Sequence, residues 1–155
     1  RKLENGDYDA IVLAAAGLRR LGQESVITEY LDESKMVPAV GQGALCIETR
    51  ENDADIALIM DRLDDPETRV CVEGERAFLK QIEGSCHIPV ACFGQMTDNT
   101  VTLTAVVASE DGKEVIREQV TASPENVEPS GRELADKVLE NGGRNILESL
   151  NTHAK

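Results

Sequence analysis

Aromatic side chains are scarce in this chain. They make up 3% of its 155 residues, with two Tyr, two Phe and no Trp. Any core must therefore be built from aliphatic side chains, without the large buried area that rings supply. Histidine occurs only at His87 and His153, and no pair of the four cysteines forms a CxxC motif. The usual zinc-ligand spacings are thus missing, and no metal site is expected. No apolar run approaches the roughly 20 residues that a membrane span requires. The opening "RKLENGDYDA" also lacks the apolar stretch of a signal peptide. Basic residues are few: 16 Lys and Arg face 29 Asp and Glu, for a formal net charge of -13. A surface of that sign repels phosphates, which excludes a nucleic-acid backbone as the main partner but leaves room for a local basic pocket.

What is present suggests one ordinary domain or two small ones. Hydrophobic residues make up 41% of the chain, enough for a core. Without a secretory signal, Cys46, Cys71, Cys86 and Cys92 are read as reduced thiols of a cytoplasmic protein. "RKLENG" reads as a helix end closing on Asn5-Gly6. The continuous apolar run Ala10 to Ala16 predicts a strand buried on both faces, as in a parallel sheet. A short buried helix competes, because Ala is a poor strand former. Such a strand needs neighbours joined by crossovers of about a dozen residues or more, and the following stretch offers few. The expectation is therefore that the chain begins inside a domain.

Further along, a short helix is expected around Ile27 to Leu31 and a strand over Ala44 to Arg50. "DADIALIMDRL" predicts an amphipathic helix capped by Asn52 or Asp53. A new unit starts near "LDDPET". There Asp64 or Asp65 caps a helix with Pro66 in its first turn, and Gly84 stops it just after Glu83. Val70, Cys71, Ala77, Phe78 and Ile82 share one apolar stripe of that helix, with Val72 and Leu79 opposite. Three strands are expected at about Ile88 to Met96, Val101 to Ala108 and Glu114 to Thr121, turning at Asp98-Asn99 and Asp111-Gly112. Helices at about Gly131 to Glu140 and Arg144 to Leu150 complete a small α+β domain, a three-stranded antiparallel sheet with helices.

Four features carry candidate chemistry. Arg19 and Arg20 would lie just past the carboxyl end of the Ala10 to Ala16 strand, where ligands bind in open α/β sheets. Gly17 would let backbone N–H groups approach a ligand there. Arginine suits a carboxylate or phosphate because its fork bonds two oxygens at once, though two solvated arginines on a turn would read the same way. Gln42, between Gly41 and Gly43, either offers its amide at a domain crossing or sits exposed on a hinge. Cys86, in "EGSCHIP", is open to reading as a core thiol, a metal ligand, a nucleophile or an attachment point. Adjacent extended residues point opposite ways, so His87 is poorly placed to activate it. The helix C-terminus ahead of it also disfavours a thiolate.

Three segments carry a resemblance. "NGDYDAIVLAAAGLRRLG", "VPAVGQGALCIETR" and "ERAFLKQIEGSCHIPV" together resemble the porphobilinogen deaminase (hydroxymethylbilane synthase) family, in that family's order and at compatible spacing. The resemblance implies haem and tetrapyrrole biosynthesis. Four porphobilinogen molecules are condensed to hydroxymethylbilane with release of ammonia, primed by a dipyrromethane cofactor. It implies that Cys86 holds the cofactor through a thioether, that Arg20 of the "AGLxR"-like segment binds a carboxylate, and that Gln42 contacts pyrrole rings. Ser85 and His87 depart from residues common in relatives.

The same resemblance implies an incomplete α/β region of periplasmic-binding-protein type followed by the α+β domain. Residues 1–40 correspond to the tail of domain 2, 41–63 to a returning segment of domain 1, and 64–155 to domain 3. The family's catalytic aspartate has no counterpart here, so no catalytic residue is assigned. The implied partner is the N-terminal half of the same enzyme, and the chain by itself is expected to be inactive. The competing reading is a non-enzymatic α+β module that binds a carboxylate ligand or a partner protein.

Overall fold

The computed structural model of the chain describes residues 1–82 and 89–153. These divide into two units, Arg1–Asp32 and Glu33–Lys155.

The first unit holds one short helix, α1 (Ala15–Arg20), and a single 3₁₀ turn at Glu24–Val26. None of its residues is buried. Its opening residues form a turn closed by the Asn5 amide on the Arg1 carbonyl (2.9 Å), with Gly6 at a φ of 76°.

The second unit begins with irregular chain and α2 (Ala54–Met60), capped by Asp53 through the Ile56 amide. Then comes α3 (Pro66–Gln81), where Asp65 accepts from the Thr68 amide and Pro66 occupies the first turn. Proline fits there because the missing N–H would have no helical partner. Strands β1 (Val90–Thr97), β2 (Thr100–Ala108) and β3 (Val115–Ala122) form an antiparallel meander in that order. Asp98 and Asn99 make the first hairpin turn with φ of 48° and 60°. Positive φ at both central residues matches the right-handed twist of the flanking strands. Helices α4 (Val127–Val138) and α5 (Arg144–His153) follow, separated by a break in which Gly142 takes a φ of 114°.

Alternation in β2 decides which face is dry. Val101, Leu103, Ala105 and Val107 are fully buried, while Thr102 and Thr104 between them are half-exposed. The register places Cys92 opposite Ala105 and Val120 opposite Leu103 on the same face. α3 and α4 cover that face with Phe78, Leu134 and Val138, all fully buried. The two helices approach closely through Gly74 and Gly131. A Cβ at Gly131 would run into the Gly74 carbonyl, and one at Gly74 would come within 2.5 Å of the Val127 Cγ2.

Several expectations over residues 1–63 are corrected. Ala10 to Ala16 forms no strand: Ala15 and Ala16 enter α1, and the residues before them lie exposed without a ladder. A strand's N–H and C=O groups need a neighbouring strand, and among the described residues none pairs there. Helix-favouring alanines then take the local alternative. Arg19 and Arg20 accordingly occupy the last turn of α1, and Gly17 lies inside that helix. Ala44 to Arg50 is likewise exposed and not a strand. The helix expected at Ile27 to Leu31 is replaced by the turn at Glu24–Val26. Among the described residues the fold is thus α+β, with the sheet entirely in the second unit.

Candidate functional site

The apolar stripe of α3 contains one residue of the wrong chemistry. Cys71, Phe78 and Ile82 are buried on that stripe, and so is Glu75, at 4% exposure. Four residues separate Glu75 from Cys71, so helical geometry puts the carboxylate on the core-facing side. Burying an ionised carboxylate costs several kcal/mol unless its oxygens are satisfied. Here both are. Oε1 accepts from the Gly94 amide of β1 at 2.8 Å, and Oε2 accepts from the Gly41 amide at 2.6 Å. Burial nevertheless raises the carboxyl pKa above its ordinary value, with the two amides and the Arg76 charge pulling the other way. The sequence reading missed Glu75. The available signal was an acidic residue in the middle of an otherwise apolar stripe.

Glycine makes both contacts feasible. A Cβ at Gly94 would lie 3.1 Å from the Cys71 Cα, so α3 could not come so near β1 with a larger residue there. Gly41 and Gly43 take φ of 71° and 91°. Between them the chain doubles back through two turns, Gln42 N–H to Ala39 C=O at 2.9 Å and Ala44 N–H to Gly41 C=O at 3.1 Å. Val40, just before the loop, packs against the core. Gln42 is left exposed at the rim of an open cleft of about 330 Å³, which Thr68, Gln95 and Met96 also line.

In the first unit, the two arginines differ. Arg19 bonds Glu24 Oε1 at 3.1 Å and lies 5.0 Å from the centroid of the Tyr30 ring. The Tyr30 hydroxyl donates to the same Glu24 oxygen at 2.9 Å. That cluster raises the Arg19 pKa and lowers that of Glu24, with Tyr30 the larger influence on each. Arg20 is exposed, and among the described residues no carboxylate pairs with it. Of the two, Arg20 is the one with its guanidinium free for an external carboxylate. Gly17 has open space around it and an ordinary helical backbone.

The cysteines also separate. Cys71 and Cys92 are buried, and burial raises both thiol pKa values. Neither supplies a thiolate at neutral pH. Cys46 is exposed. Cys86 and His87 lie outside the described residues. Among the described residues no group of three or more His, Cys, Asp or Glu could hold a metal ion, and no helix is long and apolar enough to cross a membrane.

Comparison with known proteins adds a second line of observation. Residues 1–58 match the family model described as porphobilinogen deaminase, dipyromethane cofactor binding domain. Residues 69–140 match the model described as porphobilinogen deaminase, C-terminal domain. The porphobilinogen deaminase of Geobacillus kaustophilus is 50% identical over 151 residues, which cover 96% of this chain and 48% of that protein. That of Syntrophobacter fumaroxidans is 43% identical over 150 residues, covering 97% of this chain and 48% of the relative. That of Bacillus cereus strain ZK / E33L is 45% identical over 154 residues, covering 97% and 49%. The chain spans about half the length of the curated relatives it matches. Two domain models of one family, matched in order along a chain that aligns almost throughout with enzymes of that name, show that it belongs to the porphobilinogen deaminase family.

Proposed function

We propose that this chain is the C-terminal half of a hydroxymethylbilane synthase. In this reading it works with an N-terminal half in the cytoplasm to condense four porphobilinogen molecules into hydroxymethylbilane, releasing ammonia. The observation that carries the reading is the pair of domain matches, residues 1–58 and 69–140, together with 50% identity to a porphobilinogen deaminase. The α+β unit serves as the cofactor-attachment domain (64–155). Residues 1–40 and 41–63 belong to two α/β domains of periplasmic-binding-protein type completed by the other half.

The residues suit a dipyrromethane cofactor. Each pyrrole carries acetate and propionate groups, and Arg20 is an exposed guanidinium without a carboxylate partner. Gln42 offers an amide at the rim of the cleft, a group that can bond either a pyrrole N–H or a carboxylate. Burial removes Cys71 and Cys92 from covalent chemistry; of the other two, Cys86 is the anchor because "EGSCHIP" resembles the family's attachment motif, and the exposed Cys46 is the control. When bound, the cofactor supplies the primer on which the chain of pyrroles grows. The thiol that holds it reacts once and needs no low pKa. This half supplies anchoring and carboxylate binding, and the proton-transfer group comes from the other half.

The test is to combine the chain with the N-terminal half of a relative and follow porphobilinogen consumption. Consumption by the pair and by neither half alone supports the reading. Two folded halves that associate but consume no porphobilinogen would favour the binding-module alternative.

A further inference from the structure

A buried carboxylate satisfied by main-chain amides is a costly way to join two segments that apolar side chains could hold. Glu75 does this with one oxygen for each segment, a loop 34 residues upstream and a strand 19 residues downstream. Both donors are glycine amides, so the carboxylate grips backbone, not side chains. On the β1 side, the Gly94 N–H is turned away from β2 and toward α3. On the loop side, the Gly41 N–H lies one residue before Gln42, whose own amide closes the turn on Ala39. The segment can neither rotate nor withdraw without breaking the Glu75 bond. Val40 is its other anchor and is apolar, which fixes depth but not orientation.

We infer that Glu75 is a positioning residue that orients the Gly41–Gly43 loop and thereby sets the Gln42 amide at the cleft rim for pyrrole binding. It touches no substrate and acts through Gln42. The role of Gln42 in pyrrole binding rests on the reading above, whereas the tie itself does not.

Two measurements separate these. In the 155-residue chain, Glu75→Gln keeps the shape but leaves one acceptor for two amides. Amide hydrogen exchange at Gly41 or Gly94 is then expected to rise about tenfold, the loss of one charge-assisted bond. Exchange at Phe78 and Leu103 should rise less, by no more than the change in global stability of the same variant accounts for. Unchanged exchange at both glycines overturns the inference whatever the enzyme does, and a uniform rise across α3 and β2 overturns it as mere unfolding. In the reconstituted two-half enzyme, Glu75→Gln, Gln42→Ala and the double variant are compared by kcat/KM for porphobilinogen. A double variant no worse than Gln42→Ala supports action through Gln42, and additive losses overturn it. If the wild-type pair consumes no porphobilinogen, the functional reading fails and the exchange result alone decides the tie.

Discussion

Glu75 shows how a single side chain sets both stability and its pH dependence. Its folded-state pKa is raised by burial, so folding favours the protonated form. Its contribution is full below the ordinary glutamate value of about 4.3 and is lost as pH rises through the raised value. Surface carboxylates act in the opposite sense. Asp65, bonded by Thr68, and Glu118, bonded by Lys137 and Asn141, have lowered pKa values. They support the fold above the ordinary carboxylate range and lose that support as pH falls. Comparing wild type with Glu75→Gln cancels the surface terms. The stability advantage of wild type should shrink as pH rises from the ordinary glutamate value of about 4.3 through the raised one, measured by denaturant unfolding at each pH. An advantage that grows with pH would mean that the two amides outweigh burial. Glu75→Ala is harsher: it strands the buried Gly94 amide, at a cost of about 1–3 kcal/mol. A second residue-scale expectation concerns Gly131. Its Cβ would meet the Gly74 carbonyl, so Gly131→Ala should destabilise by about 1–3 kcal/mol and lower the denaturation midpoint.

Among the elements, legibility followed locality. The Asp65 cap, Pro66 and the apolar stripe were enough to place the start and buried face of α3 (the Gly84 stop lies outside the described residues), and Asp98-Asn99 fixed the first hairpin. The valines and leucine of β2 alternate with threonine, so the dry face could be read directly. α4 starts earlier than expected, at Val127, because Pro129 is accommodated in the first turn, where its missing N–H costs nothing. The two failed strands share one cause. Ala10 to Ala16 and Ala44 to Arg50 carry strand-like composition, but a strand also needs a neighbour. Composition does not reveal whether that neighbour is in the chain. Of the candidate site, Gln42 could be picked out by its two glycines, and Arg20 by the segment around it. Glu75 shows in the sequence only as an acid within an apolar stripe, because its two partners are backbone amides with no side-chain signature. The element-scale test of the core is Phe78→Ala. Phe78 is fully buried between α3, α4 and the sheet, so the loss should be about 3–5 kcal/mol in chemical denaturation.

At the scale of the molecule, burial is lopsided. No residue before Cys71 is buried. Of the large exposed apolar side chains among the described residues, all but Val115 precede Asp64. Apolar side chains left exposed along a whole segment are ones the proposed N-terminal half would cover. Hydrogen exchange of the chain by itself should show α3, β2 and α4 protected and residues 1–32 exchanging near the rate of open chain. On addition of the N-terminal half, protection should spread into Ala10 to Ala16, the stretch with the strand-like sequence. Equal protection of both units in the isolated chain would contradict the idea that the first needs a partner.

The central claim is that the chain holds the cofactor of a pyrrole-condensing enzyme through one cysteine, and intact mass tests it most directly. The chain is combined with the N-terminal half of a relative, supplied with porphobilinogen, and weighed beside its Cys86→Ser and Cys46→Ser variants. The account predicts a covalent two-pyrrole adduct on the wild type and on Cys46→Ser, and none on Cys86→Ser. An adduct that persists on Cys86→Ser, or a wild-type pair that turns over porphobilinogen without any adduct, would contradict it.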